Sequence, residues 1–331
     1  MTLNLALVGA GRIAQAYAEI IGACETVEVV GVADQDPLAA KTLAVQLGCD
    51  PFDSHQELME ASRPDAVILC TPPVTHPEIT IDLLRAQISV MCEKPLATSS
   101  ADARRMLAVA ASSSALLTMA SKFRYVDDVL RAREIAHSGE LGEVILVENT
   151  FASRVDMADR WNSAPDIAGG GVLIDNGTHS ADLVRYILGP ITEVLALEGR
   201  RVQELEVEDT AQIFLKSYDG ARATIDLSWS LNKEREWFLE VYGSNGTIQV
   251  GWSRSRYRIG DGGAWTDLGT GYGRQQAMRS QVANFAAAVE RREPLRIDAT
   301  DAMASVEVIE AAYRSLSNGG WVEVEAAAAR A

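Results

Sequence analysis

The stretch Leu3-Asn-Leu-Ala-Leu-Val-Gly9-Ala-Gly11-Arg-Ile-Ala14 constrains this chain more than any other. A mostly apolar run of strand character enters GxGxxA, and Arg12–Ala23 continues with helical spacing. A glycine loop between strand and helix suits a pyrophosphate. Gly9 permits the tight turn, Gly11 lets the backbone approach the ligand, and Ala14 lets helix and strand pack closely. The helix N-terminus adds free N–H groups and partial positive charge. Gly9, Gly11, Arg12 and Ile13 are therefore candidate cofactor contacts. A plain glycine turn is the competing explanation, but strand, helix and position in the chain all agree with a dinucleotide loop.

Up to about residue 120, short apolar runs alternate with helical patterns. The runs are 3–8, 27–33, 65–70, 88–92 and 115–120. Between them lie 12–23, 37–47, 76–86 and 101–111, and Ser54-His-Gln-Glu57 is a capping box that starts a further short helix. This order predicts a doubly wound parallel sheet of Rossmann type, with both faces covered. Asp34 ends the second strand, 20 residues after Ala14. A carboxylate there accepts hydrogen bonds from ribose hydroxyls and repels a 2′-phosphate, and neutral Gln35 stands where an arginine would attract one. NAD is favoured, with NADP as the other candidate. Thr71-Pro72-Pro73 and His76 follow the third apolar strand and are a further candidate cofactor loop, although His76 serves equally well as the start of the next helix. Glu93-Lys94-Pro95 closes the fourth run, again at a carboxyl end; taken alone it is a strand-ending turn.

After about 120 the pattern changes. A helix is predicted over 125–137, stopped by Gly139. Longer alternating segments follow at 144–153, 209–217, 221–230 and 235–243, joined by the hairpin signals Tyr218-Asp219-Gly220 and Ser244-Asn245-Gly246. Alternation predicts a large, mainly antiparallel open sheet with one face buried. Two late helices are expected at about 274–291 and 300–316, before a short terminal EAAAARA. The expected organisation is a dinucleotide-binding domain over 1–120, then a substrate-binding and oligomerisation α/β domain over 121–331.

A formal net charge of −16 argues against nucleic acid and against an anionic membrane surface, both of which need clustered Lys and Arg. The apolar start lacks a basic flank and runs into the glycine loop, so it does not read as a signal peptide, and no apolar run reaches transmembrane length. Cys24, Cys49, Cys70 and Cys92 include no CxxC pair, which disfavours structural zinc and suits reduced thiols in a cytoplasmic setting. No metal is expected.

A second constellation lies in Gly169-Gly-Gly-Val-Leu-Ile-Asp175-Asn-Gly-Thr-His179. On a helix, Asp175 and His179 share a face, one turn apart. The carboxylate can orient the ring and stabilise its charged form. The triple glycine allows close approach of a backbone or a ligand. In isolation, a surface helix pair is the better explanation of Asp-x-x-x-His, and a metal pair lacks an obvious third ligand.

The ordered set GAGRIA, Asp34, TPPVTH, EKP and GGG with Asp175-x-x-x-His179 resembles the Gfo/Idh/MocA oxidoreductases over almost all 331 residues. The resemblance implies NAD(P)-dependent oxidation of a secondary alcohol on a polyhydroxylated substrate: a sugar, a cyclitol or an amino sugar. It makes Lys94 the EKP lysine, places Glu93 beside the nicotinamide, and casts Asp175 and His179 as the substrate-site carboxylate and histidine. His179 is then the preferred base, and Lys94 places positive charge where an alkoxide develops. Arg124 and Trp161 fall where related sequences often have pocket residues. Asn162 stands where an arginine is common, which departs from the usual substrate contacts. The family also implies a homo-oligomer, dimer or tetramer, formed through the C-terminal sheet. Two alternatives keep the fold: an NAD-dependent glycosidase and a non-catalytic nucleotide sensor. Cysteine spacing and domain order disfavour a zinc alcohol dehydrogenase.

Overall fold

The structure, a computed structural model, describes residues 2–22 and 26–325. Cys24 and residues 326–331 of the terminal EAAAARA lie outside the described residues. The chain divides into two units: Met1–Ala120 with Met278–Met303, and Ser121–Ala277 with Ala304–Ala331.

The first unit runs β1 (Leu3–Val8), α1 (Arg12–Ile21), β2 (Val27–Ala33), α2 (Pro37–Leu47), β3 (Asp50–Phe52), α3 (His55–Ser62), β4 (Ala66–Leu69), α4 (His76–Arg85), β5 (Ser89–Glu93), α5 (Ser100–Ala111) and β6 (Leu117–Ala120). Its six strands are all parallel, in the order β3-β2-β1-β4-β5-β6. This is the doubly wound sheet expected from the alternation. The middle strands are buried on both faces, as the consecutive residues Val67, Ile68 and Leu69 of β4 illustrate. The helix starts follow from their caps. The Asp36 carboxylate accepts from the Leu38 N–H with Pro37 at the first helical position, and the Ser54 hydroxyl accepts from the Glu57 N–H.

The second unit contains α6 (Asp127–Ser138), β7 (Val144–Ala152), α7 (Pro165–Ala168), α8 (Val172–Leu188), β8 (Ile191–Glu198), β9 (Thr210–Ser217), β10 (Arg222–Ser228), β11 (Trp237–Gly243), β12 (Gly246–Gly251), β13 (Ser255–Ile259) and β14 (Thr266–Gly269). Then come α9 (Arg274–Val289), α10 (Ala299–Asn318) and β15 (Val322–Glu323). The nine-stranded sheet has the order β14-β13-β12-β11-β7-β10-β9-β8-β15. Both expected hairpins form, β9–β10 and β11–β12. One pair, β7–β10, is parallel, because α8, β8 and β9 intervene before the chain returns beside β7. Helix α8 packs on β7, β9 and β10.

The chain does not stay in the second unit after residue 121. Met278, Val282, Phe285 and Ala286 of α9 join the core formed by Leu5, Leu7, Tyr17 and Ile68, so 278–303 belongs with the first unit. Burial of these apolar side chains is what holds α9 there. No helix among the described residues is long and apolar enough to cross a membrane.

Candidate active site

In the first unit, the candidate residues gather at the carboxyl ends of β1, β2, β4 and β5. Strand order reverses between β1 and β4, the switch point where open α/β sheets bind ligands. Gly9 has φ +96°. A Cβ on it would lie 2.7 Å from the Cys70 carbonyl carbon and 2.9 Å from the Thr71 nitrogen. The phosphate loop and the Thr71–Pro73 loop are thus in backbone contact, and only glycine fits. Gly11 is the opposite case: its Cβ would meet nothing within 4 Å. Helix α1 begins there without a side-chain cap, and Gly11 and Arg12 are exposed while Ile13 is half-buried. Open space over uncapped N–H groups fits a dinucleotide pyrophosphate.

Asp34 stands beside this loop. Its Oδ2 accepts from the Ala10 N–H at 2.6 Å and its Oδ1 from the Asp36 N–H at 2.9 Å. Both oxygens are oriented by backbone donors, and each retains a lone pair for a ribose hydroxyl. Neighbouring Gln35 is exposed. Pro72 and Thr71 are half-buried, and the Thr75 hydroxyl lies 2.7 Å from that of Thr71.

His76 has a different task from the one expected of a cofactor contact. It is completely buried. Nδ1 lies 2.8 Å from the Pro95 carbonyl and Nε2 lies 2.9 Å from the Thr71 carbonyl. The ring bridges the loop after β4 to the turn after β5 instead of facing a ligand. Burial lowers its pKa, outweighing the surrounding carbonyls of Thr71, Pro95 and Leu96. The neutral ring donates from one nitrogen at a time. At the turn itself the Lys94–Pro95 peptide is cis. The Lys94 N–H donates to Glu93 Oε2 at 3.1 Å, and Glu93 Oε1 accepts from the Tyr17 hydroxyl at 2.8 Å. Tyr17 had no distinguishing mark in the sequence beyond its place on the apolar face of α1. Cys70 and Cys92, flanking these loops, are buried thiols whose pKa values burial pushes well up, so they are poor nucleophiles. A cavity of about 480 Å³ lies on the other edge of this sheet, among Pro64, Gln87, Leu116 and Arg291 at the amino ends of β4–β6, and contains none of the candidate residues.

In the second unit, Asp175 and His179 lie on α8, in its first and second turns. His179 is 7% exposed, which is not the state of a surface pair. Its ring meets Phe123 edge-on at 5.1 Å, and Phe123 stacks on Tyr272 at 4.9 Å. The triple glycine serves backbone packing. A Cβ on Gly170 would fall 1.9 Å from the Tyr313 hydroxyl, and one on Gly171 would fall 2.1 Å from the Glu208 carbonyl oxygen. Glu208 closes the start of α8. Its Oε1 accepts from the Gly171 and Leu173 N–H groups at 3.0 and 2.9 Å and from the Tyr313 hydroxyl at 2.9 Å, while its backbone carbonyl accepts from Val172. Burial raises the Glu208 carboxyl pKa against these hydrogen bonds.

Arg124, expected at the substrate, is 3% exposed. Its guanidinium meets Asp182 of α8 through Nη2–Oδ1 at 2.7 Å and Nε–Oδ2 at 2.9 Å, and lies over the Tyr186 ring. A pair this buried anchors α8; the side chain is not presented to a pocket. Trp161 is 44% exposed on the single turn Trp161–Ser163, with Asn162 half-buried beside it. Asp156, Asp159 and Asp166 are exposed. Among the described residues, no group of three or more His, Cys, Asp or Glu side chains could hold a metal ion.

Comparison with known proteins gives the family. The profile of the "Oxidoreductase family, NAD-binding Rossmann fold" matches residues 3–121, and that of the "GFO/IDH/MocA C-terminal domain" matches 129–249. Inositol 2-dehydrogenase of Rhizobium meliloti is 27% identical, over 96% of this chain and 98% of its own length. D-glucoside 3-dehydrogenase of Escherichia coli is 34% identical, over 72% and 74%. The crystal structure of GenD2 from gentamicin A biosynthesis, in complex with NAD, is 28% identical and superposes with a TM-score of 0.86 over 97% of this chain and 96% of that one. The chain belongs to the Gfo/Idh/MocA family of NAD(P)-dependent oxidoreductases.

Proposed function

We propose that the protein interconverts a secondary alcohol and a ketone on a polyhydroxylated ring substrate, a sugar or cyclitol, using NAD. The observation that carries this reading is the placement of Glu93-Lys94 at the end of β5, on the edge of the sheet where the open Gly11 loop and the oriented Asp34 carboxylate fit a dinucleotide. Bound nicotinamide supplies the hydride acceptor. Lys94 supplies a positive charge for the oxygen that becomes negative. His179, with Asp175 one turn before it, takes the hydroxyl proton, a transfer typically worth roughly 10²–10⁴-fold. Asp34 with neutral Gln35 favours NAD over NADP. Names of relatives support the substrate class, inositol and a glucoside among them.

A second reading narrows the substrate to an amino sugar. It is favoured by the net charge of −16, which suits a cationic ligand, and by the likeness to a gentamicin-pathway protein. The protein also forms a homo-oligomer through its nine-stranded sheet, a reading supported by the half-exposed face bearing Phe214, Lys216, Thr224 and Asp226; a monomeric mass by light scattering contradicts it.

The deciding experiment incubates the protein with NAD or NADP and a panel of cyclitols, sugars and amino sugars while following reduced-nicotinamide absorbance. Net reduction specific to one substrate is expected. Cofactor binding with no reduction, but with glycoside cleavage, replaces this reading with the glycosidase one; binding with neither replaces it with a sensor.

A further inference from the structure

Helix α1 does more than present the phosphate loop. Tyr17, in its second turn, is 1% exposed, and its hydroxyl joins two side chains that are distant in sequence. The donor inventory sets the direction of the chain of bonds. Gln281 Nε2, itself 1% exposed, can only donate, and gives a hydrogen to the Tyr17 oxygen at 3.0 Å. The phenol proton then goes to Glu93 Oε1 at 2.8 Å. The other oxygen of Glu93 receives the Lys94 N–H at 3.1 Å. A line of hydrogen bonds, buried at Tyr17 and Gln281 and half-buried at Glu93 and Lys94, therefore runs from α9 through α1 to the backbone of Lys94. Burial and the Glu93 carboxylate push the phenol well above its usual range, so it remains a donor.

We propose that Tyr17 is a positioning residue that ties Glu93 and Lys94 to the dinucleotide-binding helix, so that one rigid element sets both the phosphate loop and the lysine. This rests on the reading of Lys94 as the residue that meets the reacting oxygen.

The plainer account is that Tyr17 merely satisfies buried polar groups. Stability alone does not call for it: apolar side chains of the same shape serve a core about as well as a hydrogen-bonded set, and Phe fills almost the same volume. Apart from a side contact of Gln281 Nε2 with the Met91 sulfur at 3.3 Å, the line ends on the turn. The far end of the turn is held separately, by His76 on the Pro95 carbonyl. The turn is thus fixed from two sides by fully buried side chains from α1 and α4, as precise placement of a reacting group requires.

The test compares wild type, Tyr17→Phe, Gln281→Leu and Lys94→Met. Hydrogen exchange of the peptide covering residues 92–97 is measured without ligands, and kcat and KM are measured with NAD and myo-inositol. In Tyr17→Phe, exchange in this peptide should rise roughly tenfold while α1 is unchanged, the scale of one lost hydrogen bond to a charged group. Its kcat should fall roughly tenfold with KM for NAD within about twofold. Gln281→Leu should move both in the same direction by less, and it keeps the test alive if Tyr17→Phe folds poorly. Unchanged exchange in 92–97, or a rise spread equally over α1 and β1, overturns the proposal. So does normal kcat in Tyr17→Phe when Lys94→Met is inactive. Normal turnover in Lys94→Met overturns the role of Lys94 instead. Absence of wild-type turnover of myo-inositol counts against the cyclitol reading, and the exchange result alone then decides the role of Tyr17.

Discussion

The two segments that carry the candidate chemistry are built on opposite plans. The Glu93-Lys94-Pro95 turn ends a short interior strand of a parallel sheet, one in from the edge, and strand position alone brings it to the ligand-binding end. Asp175 and His179 ride on a long helix whose place depends on residues far away in sequence. Glu208 and Tyr313 close its start, and Arg124 grips Asp182 in its middle. In the first case the fold class does the placing, and buried side chains refine it. In the second, individual buried polar groups do the placing. Substitutions should therefore separate catalysis from stability differently in the two units.

The largest contrast is expected between Lys94→Met and Asp182→Ala. Lys94 is half-buried at a turn, so its loss should cost turnover by roughly 10²–10³-fold, the scale of one lost electrostatic stabiliser, while NAD affinity and the melting temperature change little. Near-normal turnover would remove Lys94 from the mechanism. Asp182 is fully buried against Arg124. Removing it takes the paired carboxylate away from a buried guanidinium, and denaturant unfolding should show a loss of about 3–5 kcal/mol. A loss below about 1 kcal/mol would mean that the pair does not anchor α8.

The next effect concerns the glycine loop. Gly11→Ala should leave the melting temperature unchanged, since its Cβ enters open space, yet weaken NAD binding roughly tenfold by obstructing the phosphate. Gly9→Ala should destabilise the protein outright, because φ is +96° and the Cys70 carbonyl occupies the space a Cβ needs. Calorimetric titration with NAD, alongside thermal melts, checks both. Equal behaviour of the two variants would break the assignment of Gly11 to the ligand.

The smallest effects have opposite signs in the two units. His76 has a folded pKa lowered from its ordinary 6.5. Its contribution to stability is present above 6.5 and is lost as pH falls toward the depressed folded value. Glu208 has a folded pKa raised from 4.5. Its contribution is present below 4.5 and is lost as pH rises through the folded value. Urea unfolding across pH should show His76→Gln losing the acid-side dependence and Glu208→Gln losing the dependence above 4.5. Parallel pH profiles for each variant and wild type would refute these signs.

Much of the first unit was legible because its signals are local. A glycine loop, an apolar strand and a cap each occupy only a few adjacent residues, and Gly9, Asp34 and Lys94 could be placed at strand ends without coordinates. Short or weakly marked strands were less visible. β3 has three residues and β15 two, and β13 and β14 alternate imperfectly. Arg124 reads as a polar residue beside an aromatic, with no local sign that Asp182, 58 positions later, neutralises it. Gly170 and Gly171 suggested close approach, but not to what: Tyr313 and Glu208 lie far along the chain.

By itself, the order of residues determined the doubly wound sheet, the phosphate loop, the hairpins of the second sheet, and the pairing of Asp175 with His179 on one helical face. These follow from periodicity and backbone restrictions that act over a few residues. Only the tertiary structure decided that α9 returns to the first core, that His76 braces two loops, that Arg124 is paired in the interior, and that Tyr17 holds Glu93. Each of these depends on which buried donor meets which buried acceptor. That pairing is enforced by the cost of leaving either without a partner once folding has removed water.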